Sequence, residues 1–494
     1  MSGSNSLMRK VKDLFGEQDM TVGNPMSVLL KFSIPLLIGN FAQQTYATVD
    51  SIVVGKYVGD NALAAIGVSN PIINLLLVLF MGVSVGASVM ASQFFGAKDR
   101  EKLSWTIGTT ITATFVTTAV VMILGPILTP WLMKTLNTPE ELYQMACNYM
   151  LILFVGFLGS AYYNVISGVL RGLGDSIMPL AFLLVACTLN IGLDIWFVAG
   201  FRMGVEGAAW ATILSQMVSG ALCLIRLLRM KDVLEVTPRM LIPKKRLLLQ
   251  LVRLGLPSGV TQAIFSFAMI IIQNLTNTYG ASVLAANTVV MRVDGFAMMP
   301  TFTFGTAMTT FVGQNMGAGK PERAVKGTRA GLILGMSVSA VLVALILLFG
   351  KYLIEMFTST PEIITLGSRM LQILAAGYLA MSVTQVLSGT MRGAGDTMTP
   401  MWISLITTVV IRVPVAYGLE FITRPAGGAM GSGTPDPLFL SLLISWVIGA
   451  VLTSIFYAKG GWKKKSIVRV PDGAPAAEQE ITLEADTESD PHAE

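Results

Sequence analysis

Ser167-Gly-Val-Leu-Arg-Gly-Leu-Gly-Asp-Ser-Ile-Met-Pro179 returns 221 positions later as Ser388-Gly-Thr-Met-Arg-Gly-Ala-Gly-Asp-Thr-Met-Thr-Pro400, with seven of thirteen positions identical. Other pairs keep the same offset. Gln93, Gly96, Ala97 and Glu101 match Gln314, Gly317, Ala318 and Glu322, and Gly59, Leu63, Ala64 and Ala65 match Gly280, Leu284, Ala285 and Ala286. With one residue of slippage Pro35 matches Pro257, and Thr138-Pro139-Glu140 matches Thr360-Pro361-Glu362. The chain is therefore one unit written twice.

The solvent of that unit follows from composition. Of 494 residues, 53% are hydrophobic and 13% charged, with a mean hydropathy of +0.67. A soluble chain carries about 25% charged residues, so a soluble multidomain enzyme is excluded, as is disorder over most of the length. A β-barrel would show short alternating segments, whereas the apolar runs here reach ~20 residues or more. Basic residues sit in loops rather than on one face, which argues against a nucleic-acid partner. Cys147, Cys187 and Cys223 fall inside apolar runs without CxxC spacing, and the lone histidine is His492 in the tail, so neither a zinc site nor a disulfide framework is expected. No cleaved leader is read in the polar first 25 residues.

The expected fold is an all-α membrane protein. Twelve apolar runs, from 27–55 to 437–458, form two six-helix bundles. Lysines and arginines sort 24 against 6 between alternate loops, which places both termini in the cytoplasm and demands an even number of spans. Six spans per copy is also even, so the copies share one topology and are related by a pseudo-two-fold along the membrane normal, with a cleft between them. The expected organisation is a cytoplasmic segment 1–26, an N-lobe 27–228, a linker 229–247, a C-lobe 248–458 and a disordered, acidic cytoplasmic tail 459–494. The repeated RGxGD segments are expected in tight turns, where Arg171 and Arg392 bond helix-end carbonyls. Gln314 to Lys320 fails the phosphate-loop pattern because Pro321 follows the lysine.

Charge within a span is costly and marks function by default. Asn190 and Asp194 are four apart and Gln43 and Asp50 seven apart, so each pair shares a helical face. The repeat tests these positions. Asn190 maps onto Ile411, Asp194 onto Val415 and Asp50 onto Ile271 or Ile272, so the second bundle is built without them. Cation or proton binding is preferred over a buried packing network for that reason. Desolvation penalises a charged carboxylate, which then accepts a proton or holds Na⁺ with amide and hydroxyl oxygens. In the second half Asp294, Arg292 and Arg412 are candidate cleft residues, with Met298 and Met299 as pliable apolar neighbours. Asp294 paired with Arg412 and Asp294 facing a cationic substrate stand as equal alternatives.

The stretch IPLLIGNFAQQTYATVDSIVVGKYVGDNALAAIG (34–67), with GVLRGLGDSIMP, NIGLDIWFVAG, GVEGAAWAT and VGQNMGAGKPERA, resembles the multidrug and toxic compound extrusion (MATE) family, in particular its DinF-like branch, over about residues 25–460. The resemblance implies two lobes around a V-shaped cleft and export of amphiphilic, often cationic drugs in exchange for H⁺ or Na⁺. It carries the family's N-lobe cation site onto Asp50, Asn190, Asp194 and Thr212, with Tyr149 and Gln43 as polar partners. Sodium would sit at Asp50, Asn190 and Asp194. One branch of the family has acids in helices 7 and 10; helix 7 here has none, and helix 10 has none between Glu362 and Asp396.

The function expected is secondary active multidrug efflux by a monomer in the cell membrane, with drug-like substrates, no cofactor beyond the coupling ion, and no enzymatic activity. A lipid-linked oligosaccharide flippase of the same superfamily is the alternative. A membrane-embedded enzyme would need convergent catalytic groups, and the spans hold no histidine.

Overall fold

The computed structural model describes residues 18–135, 138–469 and 482–483. Its long helices are α1 (Pro25–Tyr57), α2 (Asp60–Gly96), α3 (Arg100–Thr135), α4 (Glu140–Val155 and Phe157–Gly172), α5 (Ile177–Asp194, continued by Ile195–Gly200) and α6 (Gly204–Arg229). The second set is α7 (Lys245–Asn277), α8 (Ala281–Gly317), α9 (Pro321–Glu355), α10 (Pro361–Gly393), α11 (Met398–Leu405, Ile406–Ile411 and Arg412–Thr423) and α12 (Asp436–Ala458). This is the duplicated twelve-helix architecture, and the chain is a multi-pass membrane protein.

Local sequence sets the boundaries. Asn24 caps α1, its Oδ1 accepting from the Met26 amide at 2.9 Å, with Pro25 in the first turn. Gly59 and Gly280, matched by the repeat, take φ of 107° and 90° ahead of α2 and α8, a backbone that favours glycine. The halves of α4 meet at 52°. The break falls at Gly156, where a side chain would run into Ile213 of α6. Among the described residues, ten helices are long and apolar enough to cross a bilayer, and the bent α4 pair makes eleven. The remaining rod, α8, spans 37 residues but is diluted by Asn287, Arg292 and Asp294.

The lobes are not two separate blocks of sequence. Leu29 and Phe32 of α1 pack with Phe304, Phe311 and Val386 of the second half. Leu247, Leu251 and Leu254 of α7 pack with Phe94, Leu103 and Leu227 of the first. Beyond the prolines each helix rejoins its own half. Val53 and Val54 lie with Tyr149 and Ala208, while Ile272 and Leu275 lie with Tyr378 and Trp446. Around Pro35 and Pro257, the first halves of α1 and α7 thus pack reciprocally against the opposite half of the chain. Glycines permit the close crossing: a Cβ on Gly82 or Gly86 of α2 would lie within 3 Å of an α7 backbone carbonyl.

The end of the molecule bearing residues 18–23 and 466–468 is sealed. Gln93 Nε2 donates to the Gly393 carbonyl at 2.8 Å, and its repeat mate Gln314 Nε2 donates to the Gly172 carbonyl at 3.0 Å. Each glutamine thus reaches across to the RGxGD turn of the opposite lobe. Its oxygen is taken by a terminal strap: the Met20 amide donates to Gln314 and the Ile467 amide to Gln93, both at 2.9 Å. Both glutamines are fully buried. Gly96 and Gly317 touch the backbones of Gln314 and Gln93 respectively, leaving no room for a side chain at either.

The linker and the first part of the expected disordered tail are both folded. The linker packs on α3, where Thr112 Oγ1 donates to the Leu241 carbonyl at 2.6 Å. Residues 459–469, placed by sequence in a disordered tail, turn at Gly461–Lys464 and bury Trp462, which stacks on Tyr457 at 5.3 Å. Val468–Arg469 then pairs antiparallel with Thr482–Leu483. Trp462 supplies the apolar anchor within this lysine-rich stretch. The rest of the tail, and the segment 1–17, lie outside the described residues.

Candidate functional site

The N-lobe site forms where α1, α4, α5 and α6 meet. Asn190 and Asp194 stand one turn apart on α5 and are fully buried. Directly after Asp194 the helix widens into a π segment, Ile195–Gly200, a distortion frequent at functional sites. Asp50 projects from α1 so that its carboxyl and that of Asp194 are immediate neighbours. Tyr46, one turn before Asp50, lies against Thr212 of α6 and in the field of both acids. Tyr149 of α4 is 6% exposed and faces the same pair. Val53, Val54, Ala208 and Ala209 wrap the cluster in apolar surface.

The cluster is unsatisfied. Both Asp194 oxygens, Asp50 Oδ1, and Asn190 Oδ1 and Nδ2 are buried without a hydrogen-bond partner. An unpaired buried polar atom costs about 1–3 kcal/mol, and a charged one more. Two ionised carboxylates cannot donate to each other. One shared proton or one monovalent cation relieves both the repulsion and the unmet acceptors. Among the described residues no group of three or more His, Cys, Asp and Glu gathers, so a cation here would draw on amide and hydroxyl oxygens beside the two acids. The carboxylate pair, Asn190, Thr212 and Tyr149 are brought together. Gln43 is placed elsewhere: it lines the cavity between the lobes, and no described hydrogen bond joins it to the acids. Tyr46 was missed by the sequence reading, although its i, i+4 spacing to Asp50 was visible.

In the C-lobe, Asp294 of α8 sits beside Tyr378 of α10 and in the field of Arg412 of α11. Arg412 follows a second π segment, Ile406–Ile411, and its Nη1 lies 3.9 Å from Met269 Sδ. Asp294 and Arg412 make no ion pair within 4.0 Å among the described contacts. Asp294 Oδ1, the Tyr378 hydroxyl and Arg412 Nε are each buried without a partner. Met298 is buried in the C-lobe core. Arg292 and Met299 occupy a different stripe of α8. That stripe runs through Phe296, which meets Phe41 of α1 with ring centroids 6.0 Å apart, to Thr303, which accepts from Asn40 at 3.0 Å. The five predicted cleft residues therefore divide between the C-lobe interior and the inter-lobe face.

Between the lobes lies a cavity of about 450 Å³. Its wall includes Gln43, Gln262, Gln385, Phe265 and Phe302, and also Arg171 and Arg392. The expected capping of helix-end carbonyls by these two arginines does not occur: neither guanidinium has a described hydrogen bond. The turns close through their own backbones instead, the Gly174 and Gly395 amides donating to the carbonyls of Arg171 and Arg392, each at 2.9 Å.

Comparisons with known proteins agree with the duplicated helical fold. The MatE family model matches residues 35–196 and again 257–418, the two halves found by the repeat. The probable multidrug resistance protein YoeA of Bacillus subtilis (strain 168) is 31% identical over 446 residues, covering 89% of this chain and 94% of that protein. YpnP of the same organism, also a probable multidrug resistance protein, is 32% identical, covering 90% and 97%. A solved structure described as the outward-facing conformation of a multidrug resistance MATE family transporter superposes with a TM-score of 0.83 at 24% identity, covering 90% of this chain and 98% of that one.

Proposed function

The chain belongs to the MatE family, and from that premise we propose that it exports amphiphilic, drug-like compounds in exchange for H⁺ or Na⁺ bound at Asp50 and Asp194. The observation that carries the coupling assignment is the orphaned carboxylate pair, present in one lobe and replaced by aliphatic residues at the repeat-related positions of the other. The excess of lysine and arginine around the sealed end supports placing that end, with both termini, in the cytoplasm. The cavity then faces outward, and no enzymatic step is required.

The chain's own residues define the cycle. With the cytoplasmic end closed by Gln93 and Gln314, substrate leaves outward and a cation enters the N-lobe. Neutralising the carboxylate pair removes its repulsion and changes the hydrogen bonding of α1, which is already weakened at Pro35. Since α1 carries its first half on the opposite lobe, a shift at Asp50 is transmitted to the seam between lobes. The cation thereby biases a two-state element rather than acting on substrate directly. The protein is expected to act as a monomer.

The test is transport in reconstituted vesicles. With an imposed inward H⁺ or Na⁺ gradient, wild type should move a fluorescent amphiphile against its gradient. Correctly inserted Asp50→Asn and Asp194→Asn variants should not. Wild-type rates in both variants would refute the coupling assignment. A wild type that moves no amphiphile under either gradient but translocates a lipid-linked oligosaccharide would install the flippase reading instead.

A further inference from the structure

We infer that Arg171 and Arg392 form an anion-binding subsite at the floor of the inter-lobe cavity, and that the compounds this protein carries include amphiphiles bearing a carboxylate, sulfonate or phosphate group. The inference rests on the transporter reading and adds the charge of the substrate.

The first observation is that both arginines face one cavity, one from each lobe, at positions related by the repeat. The second is that neither is neutralised. The aspartates of their own RGxGD motifs are engaged elsewhere. Asp175 accepts from Arg226 Nε at 3.2 Å and from the Met178 amide at 3.0 Å. Asp396 accepts from the Thr399 hydroxyl at 2.8 Å and from its amide at 3.2 Å. No aspartate or glutamate lines the cavity among the described residues. Each guanidinium offers five donors in a planar fork that suits a carboxylate or phosphate oxygen pair. Inside low-dielectric walls, two unpaired cations focus an attractive field on an anion.

The rest of the wall fits the remainder of such a ligand. Phe265, Phe302 and Leu180 offer apolar contact, and the amides of Gln43, Gln262 and Gln385 offer neutral hydrogen bonds. The site also joins binding to the gate. The arginines belong to the turns whose glycine carbonyls, Gly172 and Gly393, receive Gln314 and Gln93. An anion between them attracts both lobes and favours closure.

The experiment uses two dyes sharing one xanthene frame and opposite in charge, anionic fluorescein and cationic rhodamine 123. Binding is read by fluorescence anisotropy on the full chain in phosphatidylcholine nanodiscs. Arg171→Gln and Arg392→Gln should each weaken fluorescein binding about tenfold or more and leave rhodamine 123 unchanged or tighter. Arg171→Lys and Arg392→Lys, which keep the charge, should retain most of the affinity and report that the fold is intact. Repeating the titration in nanodiscs containing phosphatidylglycerol separates the sources: competition by that lipid assigns the subsite to a lipid headgroup, and its absence to a soluble anion. Unchanged fluorescein affinity in the double glutamine variant, or equal loss of both dyes, would overturn the subsite. Since no ion gradient is imposed, these outcomes are independent of whether Asp50 and Asp194 couple transport.

Discussion

Replacing Gln314 with leucine would unlock one side of the sealed seam while nearly conserving volume. The wild-type side chain donates across it to the Gly172 carbonyl at 3.0 Å and, on its own side, accepts from the Met20 amide at 2.9 Å. Leucine makes neither, and it leaves a buried carbonyl and a buried amide unpaired. Each group so stranded costs about 1–3 kcal/mol. Only the Gly172 bond crosses the seam, so the loss confined to the closed state is about 1–3 kcal/mol. The ratio of open to closed should rise by roughly 5- to 150-fold. Spin labels at Lys98 and Lys320, beside the ends of α2 and α8, read the seam by pulsed electron paramagnetic resonance. A new long-distance population is expected in Gln314→Leu, and an equivalent one in Gln93→Leu. An unchanged distance distribution at unchanged thermal stability would refute the idea that these glutamines hold the seam.

Two further outcomes follow, one at the seam and one in the C-lobe. Gly96→Leu or Gly317→Leu should abolish closure at this end, because a side chain at either position meets the backbone of the opposite helix; vesicle transport should vanish while the chain still elutes as a monodisperse species. In the C-lobe, Asp294→Asn leaves Arg412 buried without its nearest negative field and should lower the thermal midpoint. Adding Arg412→Met should restore part of the loss, with a coupling of about 0.5–3 kcal/mol by double-mutant cycle, and strict additivity would argue against an electrostatic link.

How much was legible in the sequence depended on what each feature requires of its neighbours. The helices and their duplication are local properties of hydropathy and of repeated glycines, and they were readable. The acids on α1 and α5 were readable because charge is rare in the spans and the repeat showed each half the other's aliphatic counterpart. Gln43 was drawn toward Asp50 by helical phase and by the family resemblance, but neither says whether a face meets its own lobe or the cavity. Helical phase also left open the exchange of α1 and α7, because the apolar surface of Phe32 fits a partner from either half. Arg171 and Arg392 were visible as a conserved internal pattern between the two copies, yet the backbone satisfies the turn without them, so their orientation had to come from the three-dimensional arrangement. The π segments beside Asp194 and Arg412 left no compositional trace.

The exchange of α1 and α7 has a consequence for biosynthesis. Hydrogen bonds between the Met20–Gly23 strap and α8 or α9 span about 300 residues of chain. The first helix therefore reaches the membrane long before the surface that covers Phe32 exists. Until α8 to α10 are inserted, lipid must occupy that face, and contacts of such long sequence separation form slowly. The two halves thus mature as one object, and either half expressed alone would present a helix without its partner and a groove without its helix.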